Sequence, residues 1–409
     1  METAFQSTGD LFERSVQPPV PGRMRSARPT AAPIPPAEPP SAPAARLWMP
    51  DRVVFTPEAL ASPWGRRIHE RVGALGLPIE HSSSARIVGL RGRDERETYR
   101  IAKRTLSVVV APPGQLRLSP IPPSADWQFH LAQGCPAHCQ YCYLAGSLAG
   151  PPTVRAYANL TDILGNLPAY VGRAGRDAAR SGADAAMRDP STAAARVGSE
   201  PTRFEASCYT DPLALEHLTG SLAETIRFFG TDPMRHARLR WVTKFSRIEP
   251  LLGLPHAGRT RCRFSINAEP AARRFEGGTD SVAARLAAAA RLADDGYPIG
   301  LVVAPIMPLD GWRDAYGALL DAALDALPVG ADLTFELITH RFTPGSKQVL
   351  QAWYPGSTLE MDEATRSAKR GRFGAVKHVF DAATMRGLRG WFERSIAERF
   401  PRARLLYWT

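Results

Sequence analysis

Three of the five cysteines lie within eight residues of the chain. Cys135, Cys139 and Cys142 follow a CxxxCxxC spacing in the segment GCPAHCQYC. Three thiolates on one loop can each bind one iron of a [4Fe-4S] cluster, which leaves the fourth iron open. An open iron can chelate the amino and carboxylate groups of S-adenosylmethionine, and electron transfer to the sulfonium then yields a 5′-deoxyadenosyl radical. The triplet therefore predicts a radical S-adenosylmethionine enzyme.

A zinc site is the main alternative for this triplet. Structural zinc takes four ligands, usually as two close pairs in the sequence. Here three cysteines share one loop, and His138 is a candidate fourth ligand within it. Tyr141, directly before the third cysteine, suits a cluster loop that also packs against an adenine ring. The spacing favours the cluster, and zinc stays open as the less favoured alternative.

The other two cysteines differ in their surroundings. Cys208 ends an apparent strand, RFEASC, and α/β folds carry functional side chains at strand ends. A thiol has a weak S–H bond and can give a hydrogen atom to a carbon radical, so Cys208 is a candidate hydrogen donor. An inert buried cysteine is the equally weighted alternative. Cys262 lies inside a predicted strand, which indicates a packing role.

Composition places the chain among globular proteins of a reducing compartment. Few cysteines, no signal peptide and no apolar run long enough to span a bilayer predict a cytoplasmic protein with no membrane partner. The net charge of +11 is consistent with a polyanionic partner such as DNA. By itself the charge is weak support for DNA binding.

The chain divides into regions of different composition. Residues 1–47 are rich in Pro and Ala and predict a disordered arm. Residues 172–200 have few large apolar side chains and indicate a surface insertion. Near the C-terminus, the basic and glycine-punctuated stretch RSAKRGRFGAVKHVF predicts a hairpin.

Strand and helix patterns alternate through most of the chain. Apolar, β-branched runs predict strands at 105–111, 204–209, 239–243, 261–266, 299–305, 333–338 and 403–408. Helical spacing predicts helices at 57–75 with a break at Pro63, and at 217–229, 281–294, 311–327 and 382–400. Repeated βα units indicate an α/β fold with a parallel sheet, either open or closed into a whole or partial barrel.

Seven segments in order resemble the spore photoproduct lyase family. They are GCPAHCQYCYLAGS, TRFEASCYTDPLALEHLT, WVTKFSRIEPLL, TRCRFSIN, GLVVAPI, DLTFELITHRF and KRGRFGAVKH. The resemblance runs from about residue 48 to residue 409 and is interrupted at 172–200. It implies an N-terminal helper region at residues 48–120 and a partial (β/α)6, TIM-like radical S-adenosylmethionine barrel at residues 121–345. A C-terminal extension with a basic hairpin is then expected at residues 346–409.

The resemblance also implies an activity. The adenosyl radical abstracts a hydrogen atom from a methylene-bridged thymine dimer in DNA, the bridge fragments, and a protein cysteine returns a hydrogen atom. Cys208 matches that donor, and Tyr141 and Tyr143 match tyrosines that carry the radical back towards the cofactor. An external one-electron donor such as flavodoxin or ferredoxin is an expected partner.

Further site residues follow from the resemblance. Lys244, Ser265 and Asn267 match positions that line the S-adenosylmethionine pocket, although ordinary strand-end hydrogen bonding also accounts for Ser265 and Asn267. Arg372, Phe373 and Lys377 fall in a basic hairpin that wedges into the duplex.

Position 373 departs from the family, which carries Tyr there. Phe373 retains stacking but lacks the hydroxyl. Two alternatives therefore remain: an enzyme with the same cofactor chemistry and another substrate, and a non-catalytic DNA-binding protein stabilised by a metal.

Overall fold

The computed structural model describes residues 47–148, 150–173, 200–370 and 376–409. The predicted arm (1–47, apart from its last residue), most of the predicted insertion (172–200), and the hairpin residues Arg372 and Phe373 lie outside the described residues. The strands are β1 (Arg52–Phe55), β2 (Ile79–His81), β3 (Thr105–Val109), β4 (Ser119–Ile121), β5 (Ala125–Phe129), β6 (Ala132–Gln133), β7 (His138–Cys139), β8 (Val154–Tyr157), β9 (Thr202–Ala206), β10 (Ala237–Thr243), β11 (Thr260–Ile266), β12 (Glu276–Gly277), β13 (Ile299–Ile306), β14 (Leu333–Thr339), β15 (Ser367–Arg370), β16 (Val376–Val379) and β17 (Arg404–Trp408). The helices are α1 (Pro57–Ala61), α2 (Pro63–Ala74), α3 (Glu95–Lys103), α4 (Pro113–Leu116), α5 (Leu160–Asn166), α6 (Glu216–Thr219), α7 (Ser221–Gly230), α8 (Glu269–Phe275), α9 (Val282–Asp294), α10 (Trp312–Ala326), α11 (Pro344–Trp353) and α12 (Ala382–Arg399).

The main sheet has eight strands in the order β17-β14-β13-β11-β10-β9-β5-β4. From β5 to β14 every neighbouring pair is parallel, which gives six parallel strands. β17 adds in parallel beside β14, and β4 adds antiparallel beside β5. The predicted α/β fold with a partial (β/α)6 barrel is therefore confirmed, and the final strand of the chain widens it.

A second sheet has five strands in the order β2-β1-β3-β8-β6. Its strands β1, β2 and β3 come from the N-terminal region, whereas β6 and β8 lie on either side of the cysteine triplet in the chain. The segment that carries the triplet therefore begins and ends in this sheet. The division of the chain at residue 120 remains a prediction.

The predicted helix at 217–229 is two helices in the structure. Gly220 adopts a left-handed backbone (φ 63°) between α6 and α7. The buried Glu216 carboxylate accepts hydrogen bonds from the backbone N–H groups of Leu222 (2.8 Å) and Ala223 (3.2 Å), and so caps α7. Apolar periodicity spans the break because both helices pack on the same core.

The barrel interior contains a layer of buried charge. Arg240 on β10 and Arg263 on β11 each pair with Glu336 on β14, and the Arg263–Glu336 distance is 2.7 Å. Both arginines also pair with Glu205 on β9. Burial alone would raise the pKa of Glu336, but Arg263 and Arg240 outweigh it, so the net shift is downward. Four charged side chains of four strands thus neutralise one another inside the barrel.

In the part of the chain that the structure describes, no helix is long and apolar enough to cross a membrane.

We predict that Glu336→Gln destabilises the fold by about 3–5 kcal/mol, because it leaves buried arginine charge uncompensated. Urea unfolding of the anaerobic apoprotein measures the change. Glu398→Gln, at an exposed position of α12, is the matched control and should change the free energy of unfolding by less than about 0.5 kcal/mol. Equal stability of the two variants would contradict the role of the charged layer.

Candidate active site

The cysteine loop, residues 133–148, begins at a position that requires glycine. Gly134 has a φ of +77°, and a Cβ added there would lie 2.2 Å from the backbone oxygen of Thr153. Its N–H donates to the carbonyl of Tyr209 (2.8 Å), and its carbonyl accepts from the Thr210 hydroxyl (2.6 Å). The residue before the first cysteine is therefore fastened to the turn that follows β9.

The middle of the cysteine loop is held by its backbone. β7, which contains Cys139, pairs antiparallel with β12. The Gln140 N–H donates to the carbonyl of Phe275 (2.9 Å), and the buried Lys103 ammonium donates to the carbonyls of Cys135 and Ala137. Because backbone groups make these contacts, the cysteine side chains stay available as ligands.

The three cysteines of the loop are free thiols, and they lie close enough to influence one another. Burial raises the pKa of Cys135 to about 12, against the opposing effect of Lys103. Burial also raises the pKa of Cys139, where Lys244 opposes the shift and Cys142 and Cys135 add to it. Iron binding overcomes this cost, since a coordinated thiol is deprotonated. Among the described residues, no group of three His, Cys, Asp or Glu side chains is positioned to hold a single metal ion.

A buried carboxylate, Glu276, connects the cysteine loop to the barrel. It accepts a hydrogen bond from the Tyr141 hydroxyl, lies 2.8 Å from the Lys244 ammonium and pairs at 2.7 Å with Arg285. Burial would raise the pKa of Glu276, but Lys244 and Arg285 outweigh it and lower the pKa to about 2. A permanently charged Glu276 therefore fixes Tyr141 and Lys244 relative to each other.

Cys208 lies just beyond the end of β9. Ser207 adopts a left-handed φ of 60°, its N–H donates to the Phe129 carbonyl (2.7 Å), and its hydroxyl accepts from the Leu131 N–H (3.0 Å). The Tyr143 hydroxyl donates to the Cys208 carbonyl, although 64% of the Tyr143 surface is exposed. The turn thus places Cys208 beside a tyrosine of the cysteine loop.

Burial determines the protonation state of Cys208. The residue is 7% exposed, and desolvation raises its pKa to about 12. At neutral pH the group is a thiol with an intact S–H bond. This state suits hydrogen-atom donation and is a poor nucleophile.

The strand-end residues Lys244, Ser265 and Asn267 differ in how many hydrogen bonds their side chains already make within the protein. The Lys244 ammonium and the Ser265 hydroxyl both reach the carbonyl of Ala304, at 3.3 and 3.5 Å. Asn267 is fully buried, donates to the Pro305 carbonyl (3.0 Å) and accepts from the Tyr316 hydroxyl (2.9 Å). These contacts of Asn267 hold the end of β11, whereas the Lys244 ammonium lies 5.6 Å from the ring centre of Tyr141 in the cysteine loop.

Asp211 was not singled out in the sequence, although it lies in the motif that contains Cys208. Its carboxylate accepts from the Thr243 hydroxyl (2.8 Å) and the Lys244 N–H (2.7 Å), and burial raises its pKa to about 6. It thereby joins the Cys208 turn to the end of β10. Glu276 and Arg285 were also missed. The signal for Arg285 was a charge on the apolar face of a predicted helix, which requires a buried partner.

The C-terminal hairpin is anchored near the end of β14. Phe342, three residues after β14, bridges to His378 of β16 and stacks on its ring at 5.3 Å between centroids. Lys377 is exposed and lies opposite Lys369 in the hairpin. Partial burial, with Arg341 and Lys369 nearby, lowers the pKa of Lys377. The described part of the hairpin thus carries clustered positive charge.

Most of the predicted site residues converge on the carboxyl ends of consecutive barrel strands. The cysteine loop follows β5, Cys208 follows β9, Lys244 follows β10, and Ser265 ends β11. Carboxyl ends of parallel strands are where barrel enzymes carry their active sites. Lys377 lies apart on the hairpin.

Comparison with known proteins gives one consistent family. A family model described as spore photoproduct lyase matches residues 48–409. A spore photoproduct lyase of a Geobacillus species is 39% identical over 88% of this chain and 99% of its own length, and that of Bacillus subtilis is 36% identical over the same shares. A solved spore photoproduct lyase mutant with bound AdoMet and dinucleoside spore photoproduct has a TM-score of 0.78 and 38% identity, and covers 89% of this chain and 100% of its own. A second solved structure, a complex with dinucleoside spore photoproduct, matches equally well.

We predict that Gly134→Ala reduces the iron content of anaerobically reconstituted protein, because the added Cβ displaces the start of the cysteine loop. Gly150→Ala is the matched control, since Gly150 also has a positive φ (75°) but a Cβ there meets no atom within 4 Å. Iron analysis and visible charge-transfer absorption measure the outcome. Equal iron binding by both variants would show that the close approach to Thr153 is unimportant.

Proposed function

The chain belongs to the spore photoproduct lyase family, and we propose that it is a radical S-adenosylmethionine lyase that repairs a methylene-bridged thymine dimer in DNA. The observation that carries the proposal is the junction of two segments: the loop with Cys135, Cys139 and Cys142, and the turn with Cys208. Hydrogen bonds of Gly134 and Tyr143 join the two segments directly. A site for radical formation thus adjoins a protonated thiol.

The residues present fit the cofactors. Cys135, Cys139 and Cys142 would hold the [4Fe-4S] cluster, and Tyr141, Lys244 and Ser265 would bind S-adenosylmethionine. When bound, the reduced cluster and S-adenosylmethionine supply a 5′-deoxyadenosyl radical that removes a hydrogen atom from the lesion. Asn267 supports this pocket as a positioning residue, because its contacts hold the strand end beside Ser265.

Cys208 completes the repair. Its S–H bond breaks and a C–H bond forms on the thymine product radical, so the unpaired electron passes to sulfur. Tyr143, whose hydroxyl contacts the Cys208 backbone, and Tyr141 then provide O–H groups along the return towards the cofactor. The high pKa of Cys208 supports this role, since a thiolate has no hydrogen atom to give.

The hairpin is the proposed DNA contact. Lys377, with Lys369 opposite it, neutralises backbone phosphates. Arg372 and Phe373, which rest on the sequence alone, supply a further charge and a stacking ring. We place the reaction in the cytoplasm with an external one-electron carrier.

A different lesion is the second candidate, and the observation that favours it is Phe373 in place of the family tyrosine. It retains the cofactor chemistry and the cysteine loop. Only the molecule held above Cys208 would differ.

We predict that the reconstituted enzyme, with S-adenosylmethionine and dithionite, converts an oligonucleotide containing the bridged thymine dimer to unmodified thymines. Chromatography of the digested DNA measures the product, and an oligonucleotide with a cyclobutane dimer is the control substrate. Formation of 5′-deoxyadenosine without thymine recovery would favour the second candidate. Absence of both would overturn the proposal of a radical enzyme.

We predict that Cys208→Ala still consumes the lesion but yields altered products, because the product radical finds no hydrogen donor. Cys262→Ala is the matched control, since Cys262 is a fully buried thiol inside β11. Product analysis by mass spectrometry distinguishes the two. Clean thymine recovery by Cys208→Ala at the wild-type level would refute the assigned role.

A further inference from the structure

A cavity of about 690 Å³ adjoins the cysteine loop. Its lining comes from the start of the described chain at Trp48, from α3 and the residues around it, from His138 in the cysteine loop and from Trp353 at the end of α11. Cys208 and Tyr143, which belong to the reaction site, are not among its lining residues. The cavity therefore meets the cysteine loop at His138 and not at the residues proposed for the reaction.

Arginines dominate the charge around this cavity. Arg96, Arg100 and Arg104 recur every four residues and so lie along one face of α3 and its C-terminal cap, over about 12 Å. With Arg93 they form what we call the arginine face. The side chains of Arg93, Arg100 and Arg104 are 91%, 65% and 55% exposed.

The acidic groups at the cavity are already engaged. Asp94 caps the start of α3 by accepting from the Glu97 N–H (2.7 Å), and Glu97 pairs with Arg93 at 3.0 Å. Glu97 also lies 3.8 Å from Arg100, and Arg104 pairs at 2.5 Å with Asp51, which is outside the lining. The lining itself has four arginines against two carboxylates and therefore carries net positive charge.

One aromatic layer lies between the cavity and the thiols. The Tyr99 ring stacks on Trp353 at 4.6 Å, and its hydroxyl lies 2.8 Å from Nδ1 of His138 and also contacts the Tyr354 hydroxyl. His138 lines the cavity and is covalently bonded to the next residue, Cys139. A redox group held at the cavity is thus one residue away from a cluster ligand.

The geometry points to a docking surface for a protein electron carrier. We infer that the arginine face binds an acidic one-electron carrier of the flavodoxin or ferredoxin class, with the carrier's redox group over Trp353 and His138. The inference rests on the proposed function, because that chemistry needs an electron from outside the chain. The carrier loses one electron and the cluster gains it, and no atom is transferred.

DNA is the competing polyanion for this surface. The contact of Tyr99 with His138 in the cysteine loop favours the carrier, because an electron must pass from the carrier to the cluster. Binding of a DNA backbone requires no such electron path. In the proposed function the lesion is held at Cys208, which does not line the cavity. Charge complementarity of this kind acts mainly on association rate and partner choice.

The test compares Arg96→Glu/Arg100→Glu with the wild-type holoenzyme. The control is Arg227→Glu/Arg235→Glu. These two arginines are similarly exposed (48% and 58%), and each pairs with an acid three residues earlier, as Arg100 does with Glu97. Neither lines the cavity. Binding of oxidised flavodoxin is titrated by fluorescence anisotropy at low and high salt. Formation of 5′-deoxyadenosine is measured with reduced flavodoxin and, separately, with dithionite.

We expect the α3 variant to bind flavodoxin on the order of tenfold more weakly at low salt, with a smaller loss at high salt. Its cleavage of S-adenosylmethionine should slow with flavodoxin and stay at the wild-type rate with dithionite. Unchanged flavodoxin binding by the α3 variant would overturn the inference. A variant that keeps its affinity for flavodoxin but loses affinity for lesion-containing DNA would overturn it as well. No cleavage by the wild type with dithionite would overturn the proposed function, while the titration would still decide the docking surface.

Discussion

The Glu276 carboxylate is the contact on which the arrangement of the site depends. It is 1% exposed, so its charge is stable only because Lys244 and Arg285 surround it. The same carboxylate accepts the Tyr141 hydroxyl. One buried ion group therefore joins the cysteine loop, the end of β10 and helix α9. Without it, three elements distant in sequence would have no common polar anchor at the mouth of the barrel.

Burial shifts the pKa of three cysteines of this site in the same direction. Desolvation raises the pKa of Cys135, Cys139 and Cys208 alike. Lys103 beside Cys135 and Lys244 beside Cys139 favour the thiolates that iron requires. Cys208 lies in a turn where it stays a thiol. Arg240 likewise opposes the shift of the Cys208 pKa. The proposed difference between metal ligands and hydrogen donor therefore rests on position, with the ligands on one loop and Cys208 on the turn after β9.

Branched apolar side chains usually fill the interior of a barrel of this type. This barrel differs, because a layer of charged side chains lies inside it below the site. Glu205, Arg240, Arg263 and Glu336 pair with one another, and the hydroxyls of Ser124 and Tyr407 donate to the two carboxylates. The Nε atoms of both arginines are buried without a hydrogen-bond partner among the described residues. Tyr407 belongs to β17, so the last strand of the chain is needed to close the network. This contact explains why the C-terminal extension is part of the sheet.

Local patterns in the sequence were sufficient for the cofactor and for most barrel elements from β9 onward, whereas β5, β8, α3 and α11 were not predicted. The βα alternation, the CxxxCxxC spacing and the position of Cys208 at a strand end depend on neighbouring residues. The strand predicted at 204–209 ends at Ala206 in the structure, and Cys208 lies in the turn beyond it. The glycine break at Gly220 was missed because the apolar period continues across it. Glu276 and Asp211 were missed because their partners lie about 30 or more residues away in the sequence. Arg285 was missed because its partner, Glu276, lies on another element. The spacing of neighbouring residues thus encodes which side chains are candidate metal ligands. The protonation, orientation and surroundings of those side chains arise from burial and from long-range charge pairs, which only the folded chain brings together.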